Sequence, residues 1–217
     1  PRRWSAPGAD ARPPLLPAPD PAALTEAALA MQAGGIVGLP TETVYGLGVV
    51  PRPEALAAVI AAKRRSDDKG IALLIDGLDQ VEGLVDVAEP ARRLAARFWP
   101  GALTLVLPLR RPELVPTAIT GGRDMLGLRI PDHPVPRALA RELGPISVTS
   151  ANHSGEPPAQ VPEELIASVG DSLALVLDDG PVRGGVASTV VSVTGEGAWQ
   201  VLREGALSRA EVERAAA

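Results

Sequence analysis

Thr41, Glu42, Thr43 and Tyr45 place three hydroxyls and a carboxylate within five positions, directly after the apolar run 36–39 and Pro40. Gly46 and Gly48 follow at once; a residue with no Cβ lets the backbone approach a ligand closely. Polar loops closing a buried strand are where open α/β sheets hold ligands. A capped surface turn has much the same composition, so this stretch alone leaves both readings open.

Four further clusters repeat the layout, each setting polar or cationic residues beside an apolar run. Lys63, Arg64, Arg65 and Lys69 bracket Ser66-Asp67-Asp68 ahead of the run 71–75. Arginine can grip phosphate oxygens through two N–H groups and lysine acts as a point charge, so phosphate binding is one reading. Cations complementing a helix C-terminus, or a solvated charge run, are the others. Arg129 interrupts the apolar segment 126–130, where a charge is costly unless a carboxylate or an anionic ligand meets it. Thr149-Ser150-Ala151-Asn152-His153-Ser154-Gly155 offers small donors suited to phosphate or carboxylate, or to a helix cap. Gly184-Gly185, Ser188-Thr189 and Arg203 form the last and weakest cluster.

Composition excludes several chemistries. With no cysteine there is no thiolate nucleophile, disulfide or Cys-ligated zinc, and His133 and His153 are too few for a His-rich metal site. A net charge of −5 argues against a protein that coats nucleic acid, although a local cationic cleft is compatible with it. Neither GxxxxGK[ST] nor the dinucleotide glycine pattern occurs, so any ATP site is of another kind. No apolar run has membrane-spanning length, and the cytoplasm is the expected compartment with no membrane partner.

The elements that must position these residues are read from periodicity and punctuation. Helices are predicted over 22–31, 53–64, 90–98, 134–143 and 162–169, with a last one starting at the cap Ser208. Strands are predicted over 36–39, 71–75, 103–107, 126–130, 146–148, 174–177, 189–193 and 199–202. Helices alternating with apolar strands predict an α/β fold with a largely buried, mixed sheet. The Pro-, Ala- and Arg-rich residues 1–19 read as a poorly ordered tail, and 20–217 as one domain.

Taken together, PTETVYGLG at 40–48, Lys63-x-Arg65 with Lys69, WPG at 99–101, RIPDHP at 129–134, SVTSAN with Ser154-Gly155, and STVV at 188–191 come in a familiar order. The chain resembles the YrdC family of threonylcarbamoyl-adenylate synthases in its short, single-domain form. The resemblance implies a twisted mixed sheet with flanking helices around a deep cationic cavity. It also implies a nucleotidyltransferase that makes threonylcarbamoyl-AMP and pyrophosphate from L-threonine, bicarbonate or CO2, and ATP. The product would serve tRNA modification through downstream transfer proteins, so tRNA would be an indirect partner. By resemblance, Lys63, Arg65 and Lys69 are catalytic, and Thr43, Arg129 and Thr149 bind threonine. Arg65, Lys69, Ser150, Asn152, Ser188 and Arg203 bind ATP, whose Mg²⁺ is expected on the phosphates with Glu42 as a candidate ligand.

The chemistry is consistent with those residue types. An N-carboxylated amino acid must approach a polyanion, and cations with fixed donors offset the repulsion and stabilise the departing pyrophosphate. Holding the reactants together removes much of the remaining barrier. Ser66 and Leu74 depart from residues common in the family. Other readings are a paralogue with another substrate, and a module binding tRNA or double-stranded RNA. Arg65→Ala or Lys69→Ala is expected to abolish pyrophosphate release with an unchanged melting temperature; unchanged turnover would refute the phosphate assignment.

Overall fold

Alternation along three neighbouring strands gives the sheet two faces of different chemistry, one greasy and one polar. The computed structural model describes residues 12–64, 66 and 70–216. Arg65 and Lys69, expected to bind phosphate, lie outside the described residues.

The strands are β1 (Leu15–Pro17), β2 (Ile36–Leu39), β3 (Gly46–Val49), β4 (Leu73–Leu74), β5 (Leu103–Pro108), β6 (Met125–Arg129), β7 (Ile146–Ser150), β8 (Leu173–Asp178), β9 (Thr189–Val193) and β10 (Trp199–Arg203). They hydrogen-bond in the order β1-β8-β2-β3-β7-β4-β6-β5-β9-β10. Four neighbouring pairs are parallel (β1/β8, β2/β8, β4/β6 and β5/β9) and the others antiparallel, so the sheet is mixed as expected.

Helices α1 (Pro21–Gln32), α2 (Pro53–Ala62), α3 (Glu89–Phe98), α4 (Thr117–Thr120), α5 (Pro134–Leu143), α6 (Pro162–Val169) and α7 (Arg209–Ala216) flank it. Asp20 caps α1 by accepting from Ala22 N at 3.1 Å, with Pro21 in the first turn. Ser208 and Glu211 cap α7 reciprocally: Glu211 N donates to Ser208 Oγ and Ser208 N to Glu211 Oε2. Among the described residues no helix is long and apolar enough to cross a membrane.

Side chains of a strand point alternately to opposite faces. Leu103, Leu105 and Leu107 of β5, Leu126 and Leu128 of β6, and Val191 and Val193 of β9 therefore share one buried cluster with Leu56, Val59, Leu94 and Val212 of the helices. Thr104, Val106, Met125, Gly127, Arg129, Val190 and Ser192, the alternate positions, line a cavity. A second cluster, built from α1, α5, β2 and β8, includes Met31, Val37, Leu139 and Leu175.

Three expectations need correction. Residues 15–17, placed in the tail, form the edge strand β1 beside β8, in register Leu15 to Val176. Gly46 and Gly48, read as opening a loop to a ligand, belong to β3. A Cβ on Gly46 would lie 2.6 Å from Val148 Cγ1, and one on Gly48 2.6 Å from Leu39 Cδ2. Both glycines answer to close packing against neighbouring strands. The apolar run 71–75 is strand only over Leu73–Leu74, with Ala72 O and Ile75 N adding bonds to Val148 and Arg129 at its ends.

Because a Cβ on Gly48 would press on the fully buried Leu39, Gly48→Ala is expected to destabilise the fold by about 1–3 kcal/mol. Urea unfolding checks this; an unchanged midpoint would mean that Leu39 repacks without strain.

Candidate active site

The polar face of the sheet floors a cavity of about 870 Å³, lined from β3, β4, β5, β6, β7, β9 and β10 and the segments beside them. Among the described residues its charged lining is Arg123, Arg129, Glu156 and Arg203, three cations and one anion. Hydroxyls of Thr41, Thr43, Thr104, Thr120, Thr149, Ser150, Ser188 and Ser192 supply most of the other polar groups. A site of fixed neutral donors with excess positive charge suits an anion.

Arg129 is the best-determined member. It sits at the end of β6, and its side chain is 8% exposed. Nε donates to Gly101 O at 3.0 Å, and Nη2 donates to Glu42 Oε1 at 2.6 Å and Thr43 Oγ1 at 3.0 Å. Both alternatives left open by the sequence hold at once: Arg129 meets a carboxylate and also faces a cleft. A guanidinium carries five N–H groups, so three are committed and the two on Nη1 are left for a ligand. The WPG turn has a visible purpose here, since Gly101 N also donates to Ile130 O at 2.8 Å and ties the turn to β6. A Cβ on Gly101 would lie 2.5 Å from Phe98 O.

The loop between β2 and β3 is folded by its own hydroxyls. Thr41 Oγ1 donates to Val44 O at 2.6 Å and accepts from Thr43 N and Val44 N, both at 3.2 Å. Thr41 has thus spent its proton, so in the 2.9 Å contact between the two hydroxyls Thr43 is the donor. Thr43 Oγ1 accepts from Arg129, which leaves one lone pair for a ligand donor.

Tyr45 departs from the reading as a ligand-facing hydroxyl. Its OH donates to Gly180 O at 2.8 Å and accepts from Asp179 N at 3.2 Å, tying the site loop to the segment after β8. Burial pushes its pKa up to about 12, the Asp179 N–H opposes this, and the nearby Asp178 and Asp179 charges add to it.

Lys63, expected among the catalytic residues, does not line the cavity; it lies beneath the loop after β7. Its side chain is fully buried, and Nζ donates to Ser150 O and to Asn152 O at 2.6 Å. Asn152 Nδ2 donates to His153 O at 2.7 Å and Glu156 O at 2.8 Å, so this amide shapes the loop as well as lining the cavity. Thr149 and Ser150 sit on β7 opposite Leu47 and Gly46 of β3 and line the cavity as expected.

At the other flank Ser188 Oγ meets Thr104 Oγ1 at 2.8 Å, and Arg203 Nη2 donates to Ser188 O at 2.8 Å. Arg203 is held below the usual arginine range by burial and then by the charge of Arg129. The two guanidiniums therefore feel each other across the cavity. His133 caps α5: Nδ1 accepts from Val135 N at 3.2 Å, so the 3.1 Å contact to Asp179 Oδ2 is made by Nε2–H. Burial lowers its pKa and outweighs the raising effect of Asp179.

Thr43, Arg129, Thr149, Ser150, Asn152, Ser188 and Arg203 converge on one cavity from distant parts of the chain. Thr104, Thr120 and Arg123 were missed. Thr104 was detectable as the polar alternate in the β5 segment LTLVLP, whereas the turn around Thr120 and Arg123 carries no such period. Among the described residues no three His, Asp or Glu side chains converge to hold a metal. Glu42, the candidate Mg²⁺ ligand, accepts from Arg129, and among the described residues its buried Oε2 has no hydrogen-bond partner.

Residues 29–205 match the Sua5/YciO/YrdC family, described as telomere recombination. The threonylcarbamoyl-AMP synthase of Bacillus subtilis is 37% identical over 193 residues, covering 88% of this chain and 55% of the relative. A putative threonylcarbamoyl-AMP synthase of Mycobacterium tuberculosis is 40% identical over 181 residues, covering 82% of both. The crystal structure of P. abyssi Sua5 complexed with L-threonine superposes with a TM-score of 0.83 at 37% identity, covering 88% of this chain and 56% of that one. The chain thus spans about half the length of the Bacillus relative.

Tyr45→Phe is expected to lower stability by about 1–3 kcal/mol, because Asp179 N and Gly180 O lose a buried partner. The affinity for ligands in the cavity is expected to stay unchanged. Calorimetric melting and a ligand titration check the two halves separately.

Proposed function

This chain belongs to the Sua5/YciO/YrdC family, and from that premise we propose that it is an L-threonylcarbamoyladenylate synthase, a nucleotidyltransferase. The observation that carries the reading is Arg129, fixed on three sides with its Nη1 donors left for a small anion. Its likeness to a threonine-bound relative supports L-threonine as that ligand. The threonine carboxylate meets Arg129 Nη1, and a substrate donor reaches the remaining lone pair of Thr43 Oγ1, with Thr149 nearby on β7.

ATP occupies the flank of Ser150, Asn152, Ser188 and Arg203, with Arg65 and Lys69 completing its phosphate contacts. Mg²⁺ enters as part of the MgATP substrate, bound through phosphate oxygens and water, as its reluctance to shed water favours. The threonine amine, once deprotonated, forms a C–N bond to CO2 with release of a proton to solvent, or to bicarbonate with loss of water. An oxygen of the resulting N-carboxylate then forms a bond to the α-phosphorus as the bond to the pyrophosphate oxygen breaks. Pyrophosphate leaves with the electron pair, its charge stabilised by the cations. No protein nucleophile is needed. Lys63 serves by fixing the carbonyls of Ser150 and Asn152, a positioning role. The product is a reactive mixed anhydride suited to threonylcarbamoyl transfer onto tRNA by other proteins.

Incubation with ATP, Mg²⁺, bicarbonate and L-threonine is expected to release pyrophosphate only when threonine is present, and not with serine in its place. Release independent of the amino acid would refute the reading. Thr43→Val is expected to raise the threonine KM roughly tenfold while leaving that for ATP near its original value; equal losses would make the loop purely structural.

A further inference from the structure

The cavity must hold two anionic substrates side by side without exchanging their places. Arg129 and Arg203 both line it and both carry donors that anions seek. What separates them is their neighbours. Arg129 is paired with Glu42 at 2.6 Å, so its charge is offset by a carboxylate. Arg203 is bonded to a carbonyl, Ser188 O, and forms no ion pair among the described residues. Glu42 Oε2 is enclosed with no hydrogen-bond partner among the described residues. His133, on whose ring the Glu42 charge acts, is held toward its neutral form by burial.

We propose that Glu42 is a specificity-determining residue that sorts the two substrates by charge. It makes the Arg129 end acceptable to a zwitterion and hostile to a polyanion, and it leaves the Arg203 end to phosphate. An amino acid brings a carboxylate to Arg129 and an ammonium that the nearby Glu42 charge favours. A pyrophosphate or triphosphate brings no cation of its own and is repelled by the same carboxylate. Coulomb interactions over a few ångströms in a partly buried site are strong enough to make this preference large. The inference rests on the reading of the Arg129 end as the amino-acid site.

The test is calorimetric titration of the full chain with L-threonine and with inorganic pyrophosphate, separately and in competition. In the parent, pyrophosphate is expected to bind without weakening threonine. In Glu42→Gln, threonine affinity is expected to fall roughly tenfold, and pyrophosphate is expected to become a competitor of threonine. A Glu42→Gln protein that binds both ligands as the parent does, or that loses both equally, overturns the proposal. Arg203→Gln leaves Glu42 in place and probes the opposite end: pyrophosphate is expected to weaken and threonine to hold, and the reverse pattern also refutes the sorting. These outcomes are distinct from failure of the proposed reaction. A parent that binds no threonine removes the premise and the inference together, whereas a parent that binds threonine beside an indifferent Glu42→Gln removes the inference alone.

Discussion

A guanidinium enclosed at the end of an apolar strand is the constraint around which this molecule is arranged. Arg129 is 7% exposed, and a buried charge without partners would be strongly unfavourable. Its side-chain partners come from two places in the chain, Gly101 after α3 and Glu42 with Thr43 between β2 and β3, while β6 carries the residue itself. Each of those segments is fixed in turn. Gly101 N is bonded to Ile130 O, and the Thr41 hydroxyl organises its loop. The turn, the loop and the strand must therefore assemble together, and the donors left on Nη1 are aimed by that assembly.

Division of labour between the faces of the sheet makes this possible. Leucines and valines at alternate positions of β5, β6 and β9 bury against α2, α3 and α7. Burying such side chains contributes about 1.5–3 kcal/mol each, which leaves the opposite face free to carry groups chosen for chemistry. Lys63 extends the scheme below the cavity surface. Its ammonium satisfies the carbonyls of Ser150 and Asn152, so the loop after β7 keeps its shape without a regular backbone partner for each group.

Much of this was legible in the sequence, because strands buried on both sides read as apolar runs and the site residues cluster beside them. Arg129 stood out as a charge inside such a run, and Ser150 and Asn152 as small polar groups just after one. The failures have physical causes. Leu15–Pro17 is a three-residue strand among prolines, too short for any period, and it is fixed by its ladder to β8. Gly46–Val49 reads as a loop because glycines favour loops, yet Val148 and Leu39 press on it so closely that little but glycine fits. Tyr45 carries a hydroxyl in the right motif, but its direction depends on Asp179 and Gly180, more than a hundred residues away. Lys63 shows the same limit: its charge was evident, and the carbonyls it serves were not.

Gly127 lies at the middle of the cavity floor, facing Val106 across the β5–β6 ladder. It differs from the tightly packed glycines of β3, because a Cβ there would sit 3.4 Å from Ala72 Cβ and 3.7 Å from Thr104 Cγ2, ordinary contact distances. A Cβ is not excluded by the packing at this position, so the absent side chain leaves space to the cavity. Alanine here would raise the floor by one methyl group at ordinary contact distance from Ala72 and Thr104. One residue therefore acts as a depth gauge, through which the capacity of the chamber can be altered independently of the charges on its walls.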